Sequence, residues 1–263
     1  MLGPWAVRAL KDRHDILLTD INERHPDYKG DYLQLSVADV NGVVKAAEDM
    51  DMIVNLSVLR PHRQFAFDVN TMGNYAMMVA AKEHGIKRVI NSGPHYQMAG
   101  EQYEDWDFDL NPDMPPAAGT RLYAHTKALG QEVCRVFSQR HGIQVITLLY
   151  YNMKHSWDLS AAWNQEKWDL NGIEPEGPQH HQDMVPYSTA WPDCGTAVQA
   201  AVEVPENRLA TRCETFFVFP DLPHGKFNNE KIKRVLGWKP RYQVEGLWNK
   251  EFRSPPNNLH GAF

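Results

Sequence analysis

The sequence predicts an α/β fold built on a doubly wound parallel sheet. Three observations predict it. Short β-branched runs recur through the first 150 residues, stretches with helical spacing separate them, and this regular texture stops after Tyr151. Alternation of strand and helix implies right-handed βαβ units and therefore parallel strands.

The strand candidates are residues 15–20, 32–36, 51–56, 88–91 and 143–150. Each is too short for a helix and shows little polar alternation, as expected of strands covered on both faces. Between them, residues 40–48 place Val40, Val43, Val44 and Ala47 at helix spacing. Residues 65–84 and 121–141 are longer, and each ends in His-Gly, a helix stop. Residues 152–192 are rich in Trp, His, Asn, Gln and Pro. A helix at 193–204, a strand at 214–219 and a short helix at 228–236 follow. The predicted organisation is a nucleotide-binding domain over 1–150 and a smaller α+β substrate region over 151–263, packed on it.

Composition narrows the function. Hydrophobic residues make up 43% and charged residues 23% of the 263 residues, which fits a globular chain. No run reaches the ~18 apolar residues of a membrane helix, and mean hydropathy is -0.52. Lys plus Arg number 27 against 33 Asp plus Glu, a net charge of -6. That balance offers no basic surface for nucleic acid or anionic lipid. Three scattered cysteines, Cys134, Cys194 and Cys213, suit neither a disulfide framework nor a zinc site. With no signal-like N-terminus, a reducing, cytoplasmic setting is expected.

The most informative pentapeptide is Tyr123-Ala-His-Thr-Lys127. Tyr and Lys at i and i+4 share a helix face. An ammonium beside a phenol favours the phenolate, which would make Tyr123 a proton shuttle to a substrate oxygen. Asp20 closes the first strand, where a carboxylate can accept both hydroxyls of an adenosine ribose and repel a 2′-phosphate, favouring NAD over NADP. A chance pair on an ordinary amphipathic helix explains Tyr123 and Lys127 by themselves, and a turn or capping role explains Asp20; taken together they point to cofactor chemistry.

Together these residues resemble an extended short-chain dehydrogenase/reductase of the NAD-dependent epimerase/dehydratase family, from Gly3 to about residue 242. The resemblance implies a Rossmann-like fold and NAD as cofactor. Gly3 and the helix behind it are similar to the family's last fingerprint glycine, 17 residues before Asp20. Asn70 matches the Asn of an Asn-x-x-Gly-Thr-like helix. Tyr150-Tyr-Asn152 resembles an Arg-Pro-x-Asn segment whose Asn faces cofactor and substrate. Leu56, Ser57 and Val58 lie where the family passes its backbone under the nicotinamide, and Ser36-Val37 stands where a pair flanks adenine. Residues 235–242 resemble a Leu-Gly-Trp-x-Pro close. Uronate dehydrogenases are nearest among relatives, from the short C-terminal part and from Ser92-Gly-Pro-His95, which is similar to their Ser-Ser-Asn-His.

The family opens with a strand and a Gly-x-x-Gly-x-x-Gly turn, whereas this sequence begins at what resembles the third glycine. That strand and two glycines are therefore expected to be missing, leaving two strand edges unpaired and the pyrophosphate without its N–H donors. Two expectations follow, a start lying upstream, favoured because residues 11–150 otherwise read as intact, or a truncated form with impaired cofactor binding.

The implied catalytic set is Tyr123, Lys127 to lower its pKa and bind the nicotinamide ribose, and Ser92 or His95 to orient the reacting oxygen. A tight Gly93-Pro94 turn carrying neither to substrate is the alternative. The implied reaction is hydride transfer between NAD and a sugar, sugar acid or nucleotide sugar, with oxidation, epimerisation and dehydration all open. Rival readings are a non-catalytic NAD-sensing or partner-binding relative and a methyltransferase of similar fold. No metal is expected: adjacent His180 and His181 point apart, and residues 101–109 read as a solvated acidic loop. Trp157, Trp163, Trp168 and Trp191 read as packing rather than sugar stacking. A homodimer through helices 65–84 and 121–141 is expected from the family.

Overall fold

The structure is a computed structural model that describes residues 2–98, 110–154, 188–221 and 227–241. It opens with helix α1 (Leu2–Leu10), followed by β1 (Leu17–Asp20), β2 (Asp31–Gln34), α2 (Val40–Ala46) and β3 (Met52–Val54). A run of helix then comprises α3 (Arg63–Phe67), a π-helical turn (Asp68–Met72) and α4 (Gly73–Glu83). Next come β4 (Arg88–Pro94), α5 (Leu122–His141) and β5 (Gln144–Tyr150). Short strands β6 (Met153–Lys154) and β7 (Thr189–Ala190) lead to α6 (Trp191–Glu203), β8 (Cys213–Phe217) and α7 (Glu230–Leu236). Helix boundaries follow their sequence signals. Gly85 and Gly142 sit at φ 68° and 73° behind α4 and α5, the left-handed conformation that ends a helix. Asp39 caps α2 by accepting from Gly42 N–H.

Among the described residues the strands pair in parallel, and the α/β fold is as the sequence predicts. The main sheet runs β3-β4-β5-β8, while β1 and β2 form a separate two-stranded ribbon. Every residue of β4 and β5 is buried, which explains why their sequences show so little polar alternation. The sheet does not stop at residue 150: β8 pairs with β5 from Val145↔Cys213 to Leu149↔Phe217. α6, which also packs on β4 and β5, lies so close to α1 that a Cβ on Gly195 would collide with the Trp5 backbone. The largest core cluster joins Leu2, Ala6 and Leu10 of α1 to Ile90, Ile146, Leu148, Val198 and Phe216. Trp191 belongs to this core, a packing role as expected. Residues 101–109, His180, His181, Trp157, Trp163 and Trp168 lie outside the described residues.

The expected single helix over 65–84 is interrupted. The π-helical turn places Asn70 against α5, where its Nδ2 donates to Thr126 Oγ1 (3.0 Å) and to Leu59 O (2.7 Å). Its Oδ1 accepts from Leu59 N–H. Glycine at 130 permits this approach, since a Cβ there would strike the Asn70 carbonyl oxygen.

Candidate active site

In parallel α/β sheets, ligands collect at the carboxyl ends of the strands. Here those ends carry Asn55-Leu56-Ser57 after β3 and Ser92 within β4, with the first turns of α5 above them. Lys127, 1% exposed, donates from Nζ to Ser57 O (2.7 Å) and Ser92 O (3.0 Å). Ser92 Oγ donates to Asn55 O (3.0 Å), and Ser57 Oγ to Asn55 Oδ1 (2.6 Å). The fold thus brings Ser57, Ser92 and Lys127 together.

Tyr123, one turn before Lys127, remains partly exposed. Its ring meets that of Tyr96 edge-on at 6.1 Å, and the Arg60 guanidinium lies 5.3 Å from its centroid. Burial pushes the phenol up to about 12; the charge and contact of Arg60 oppose that rise, and the neighbouring Tyr96 adds to it. The Lys127 ammonium donates to two backbone carbonyls, and the cation whose charge bears on the Tyr123 phenol is Arg60. Full burial lowers Lys127 itself to about 8.

His95 does not face a cleft. It is fully buried, with Tyr151 at 4.2 Å, Tyr96 at 5.2 Å, Phe227 at 5.3 Å and Phe219 at 5.9 Å between ring centroids. Burial holds it down at about 3, a hydrogen bond from its ring to the Tyr150 backbone carbonyl opposes the fall and the Arg121 charge adds to it, so it is neutral. Nor is Gly93-Pro94 a tight turn: β4 runs straight through it, in register with Leu149 and Tyr150. Buried Gln97, just beyond, donates to Gln131, which donates to Thr215 Oγ1 (2.9 Å).

The cofactor candidates divide by place. Asp20 is exposed at the end of β1, its Oδ1 accepting from Asn22 N–H (3.0 Å) and Asn22 Nδ2 (2.8 Å). Ser36 Oγ accepts from Ala38 N–H (3.3 Å), and Val37 packs over Gly73, where a Cβ would lie 2.9 Å from it. Leu56 packs on the main core and Val58 is exposed. Asn70 is spent on the Leu59 backbone and Thr126. Asn152 adopts φ 39° and donates to Ser188 Oγ (2.7 Å), tying the end of β5 to the start of β7. A Cβ on Gly3 would meet nothing within 4 Å. Among the described residues no group of His, Cys, Asp and Glu converges to hold a metal. Arg60, Arg121 and Asn55 were not singled out from sequence; the basic stretch following Ser57-Val58 was the available signal.

The residues present fit NAD at its two ends. Asp20 offers an exposed carboxylate to a ribose diol. Asn55 Nδ2 is a buried donor with no partner among the described residues, beside Ser57 and Ser92. An unmade buried hydrogen bond is costly, so such a donor suits a polar ligand atom.

A model of the NAD-dependent epimerase/dehydratase family matches residues 1–154. The chain belongs to that family. NAD, and an NAD-dependent dehydrogenase or epimerase as the enzyme class, are those of the family. The chain is 27% identical over 141 residues to a uronate dehydrogenase of Pseudomonas syringae pv. tomato, a match spanning 51% of this chain and about half (49%) of that one. It is 26% identical over 254 residues to an L-arabinose 1-dehydrogenase (NAD(P)(+)) of Haloferax volcanii, covering 91% of this chain and 92% of the relative. The uronate dehydrogenase structure from Agrobacterium tumefaciens superposes with a TM-score of 0.72 at 20% identity, over 98% of this chain and 88% of that one. A mutant of it complexed with NAD gives 0.71 at 19%, over the same shares. These structural likenesses establish the fold.

Proposed function

We propose that this family member transfers hydride between NAD and a sugar or sugar acid, with Tyr123 handling the proton. The observation that carries this reading is the partly exposed Tyr123 phenol standing above a tied Ser57–Lys127–Ser92 cluster at the carboxyl ends of β3 and β4. The relatives, which carry the names uronate dehydrogenase and L-arabinose 1-dehydrogenase, support a sugar-type substrate.

When bound, NAD supplies a hydride acceptor for the substrate carbon. Tyr123 takes the proton of the same substrate hydroxyl in oxidation and returns it in reduction. At neutral pH the phenol holds its proton, so oxidation draws on a small phenolate fraction that Arg60 enlarges. Ser92 Oγ, which donates to Asn55 O in the structure, would turn its O–H to the substrate oxygen and orient it, leaving the substrate hydroxyl's own proton for Tyr123. Lys127 contributes by fixing the two strand ends. Asp20 favours NAD over NADP by repelling a 2′-phosphate.

The test is to incubate the chain with NAD and a panel of uronates, aldoses and nucleotide sugars while following NADH absorbance. Calorimetric titration of NAD runs beside it. NADH formation with a sugar supports the proposal; NAD binding without turnover on any sugar favours a non-catalytic relative.

The protein is further proposed to act as a homodimer. Phe65 (57% exposed) and Phe67 of α3, Met72 of the π-helical turn, Tyr75 of α4 and Leu129 and Val136 of α5 are exposed apolar side chains on the two helical runs that the family resemblance pairs. No helix among the described residues is long and apolar enough to cross a membrane. Unpaired thiols at Cys134, Cys194 and Cys213 accord with a reducing, cytoplasmic setting.

A further inference from the structure

We propose that Asn22, Tyr32 and Gln34 clamp the Asp20 carboxylate in one direction before the cofactor arrives, so that these three positioning residues, acting through Asp20, set the preference for NAD over NADP. This rests on the ribose role proposed for Asp20 and names the residues that make that role selective.

The turn behind β1 is tied at every residue. Asp20 Oδ1 accepts from Asn22 N–H (3.0 Å) and from Asn22 Nδ2 (2.8 Å). The carbonyl oxygen of Asp20 accepts from Leu35 N–H (2.8 Å), that of Ile21 from Gln34 Nε2 (2.9 Å), and that of Asn22 from the Tyr32 hydroxyl. These last donors belong to β2 and the residue after it, and the parallel pair Asp20↔Gln34 brings them to the turn. Packing does not account for this order, because Ile21 is 65% exposed and Asp20, Asn22 and Gln34 are exposed as well. Polar ties alone fix the turn against the conformational entropy of an exposed loop.

The ties decide what the carboxylate can offer. Each carboxylate oxygen has two acceptor positions, and Asn22 fills both on Oδ1. Oδ2 keeps both of its own among the described residues, so Asp20 presents one oxygen in a set direction. Two neighbouring ribose hydroxyls can converge on that oxygen. A 2′-phosphate would meet it as a like charge, and a carboxylate held by its other oxygen cannot swing aside. Among the described residues no Lys or Arg pairs with Asp20. The first cations past the turn, Arg24 and Lys29, donate to the carbonyls of Tyr28 (2.8 Å) and Pro26 (2.7 Å). A group already held in its binding geometry loses less freedom on binding, which favours NAD further.

The experiment titrates NAD and NADP by calorimetry into the wild-type chain, the N22A, Y32F, Q34A and D20A variants, and the doubles D20A/N22A and D20A/Y32F. Wild type should bind NAD about tenfold or more tightly than NADP. In N22A and Y32F the NAD-to-NADP affinity ratio should fall about three- to tenfold, with Q34A in the same direction. In the D20A background, adding N22A or Y32F should change NAD affinity by less than about twofold, because nothing remains for them to position. Equal wild-type affinity for the two cofactors, preference for NADP, or no binding of either would overturn the clamp. So would losses of equal size for NAD and NADP, or losses that persist in D20A, which would confine these residues to holding the ribbon. Tyr32→Phe keeps the ring that packs with Val7 and Tyr28 and so tests the hydroxyl alone. Circular dichroism shows that each variant is folded, and the wild-type contrast between cofactors tests the clamp without any variant. If the contrasts appear but no sugar reduces NAD, the clamp stands and the hydride-transfer reading fails. Sugar turnover with equal use of NAD and NADP would do the reverse.

Discussion

Lys127 Nζ stands 3.0 Å from the Ser92 carbonyl oxygen and 2.7 Å from that of Ser57, so a buried ammonium clasps the ends of two parallel strands. Its folded pKa of about 8 lies below the ordinary 10.5, because burial disfavours the charge. Between those values the unfolded chain binds more protons than the folded one, so this residue makes stability rise as pH climbs from 8 to 10.5. The rise is worth at most about 3 kcal/mol. In K127M that component should vanish, which urea unfolding at pH values on either side of the window would show. Equal pH dependence in both proteins would contradict the clasp.

His95 gives the corresponding effect in acid. Burial holds it at about 3 against an ordinary 6.5, so its contribution is complete above 6.5 and is lost as pH falls toward 3. Up to about 5 kcal/mol is involved. His95→Phe, which suits the surrounding rings, should stay folded at lower pH than wild type. The comparison is an acid titration followed by near-ultraviolet circular dichroism.

Tyr123→Phe should lower turnover by about 100- to 10,000-fold, the usual worth of a general acid–base group. NAD affinity should stay close to wild type. In the wild type, a phenol at about 12 means that the oxidation rate keeps rising with pH through the alkaline range, without a neutral plateau. A plateau near neutrality in steady-state rates would show that another group handles the proton.

Asn70 joins fold to site. It is fully buried and bonds Leu59 on both backbone groups as well as Thr126. Asn70→Ala should cost about 1–3 kcal/mol in denaturant unfolding, and should raise KM by loosening the loop that carries Ser57 and Arg60. A variant as stable as wild type would remove this residue from the argument.

For the homodimer, Val136→Glu places a charge on the exposed apolar face of α5. Light scattering should then report a dimer for wild type and a monomer for the variant. A wild-type monomer at high concentration would end the proposal.

The strands were legible because β4 and β5 are buried along their whole length, which removes polar alternation from their sequences. The helix ends at Gly85 and Gly142 were legible because a left-handed residue needs glycine. The π-helical turn was not, since it depends on Asn70 finding Thr126 across 56 positions. The partners of Lys127 were not legible for a related reason. Spacing of four places it below Tyr123, but only the fold supplies the two carbonyls that claim its charge. His95 looked polar and available, and the rings that enclose it come from positions 151, 219 and 227. Arg60 acquires meaning only when Tyr123 lies beneath it.

The separation of the β1–β2 ribbon from the main sheet has a dynamic consequence. Its ladder runs over only four residue pairs, and a two-stranded ribbon is marginal by itself. A small cluster around Val7 and Tyr28 holds it in place. Amide hydrogens of Leu17–Asp20 should therefore exchange with solvent through local opening, well before those of β4 and β5. Asp20 rides on that ribbon, whereas Ser57, Ser92 and Tyr123 ride on the main sheet and its helix. A dinucleotide gripping both would lose part of its binding free energy to ordering the ribbon, so its affinity would gauge how often the ribbon is closed.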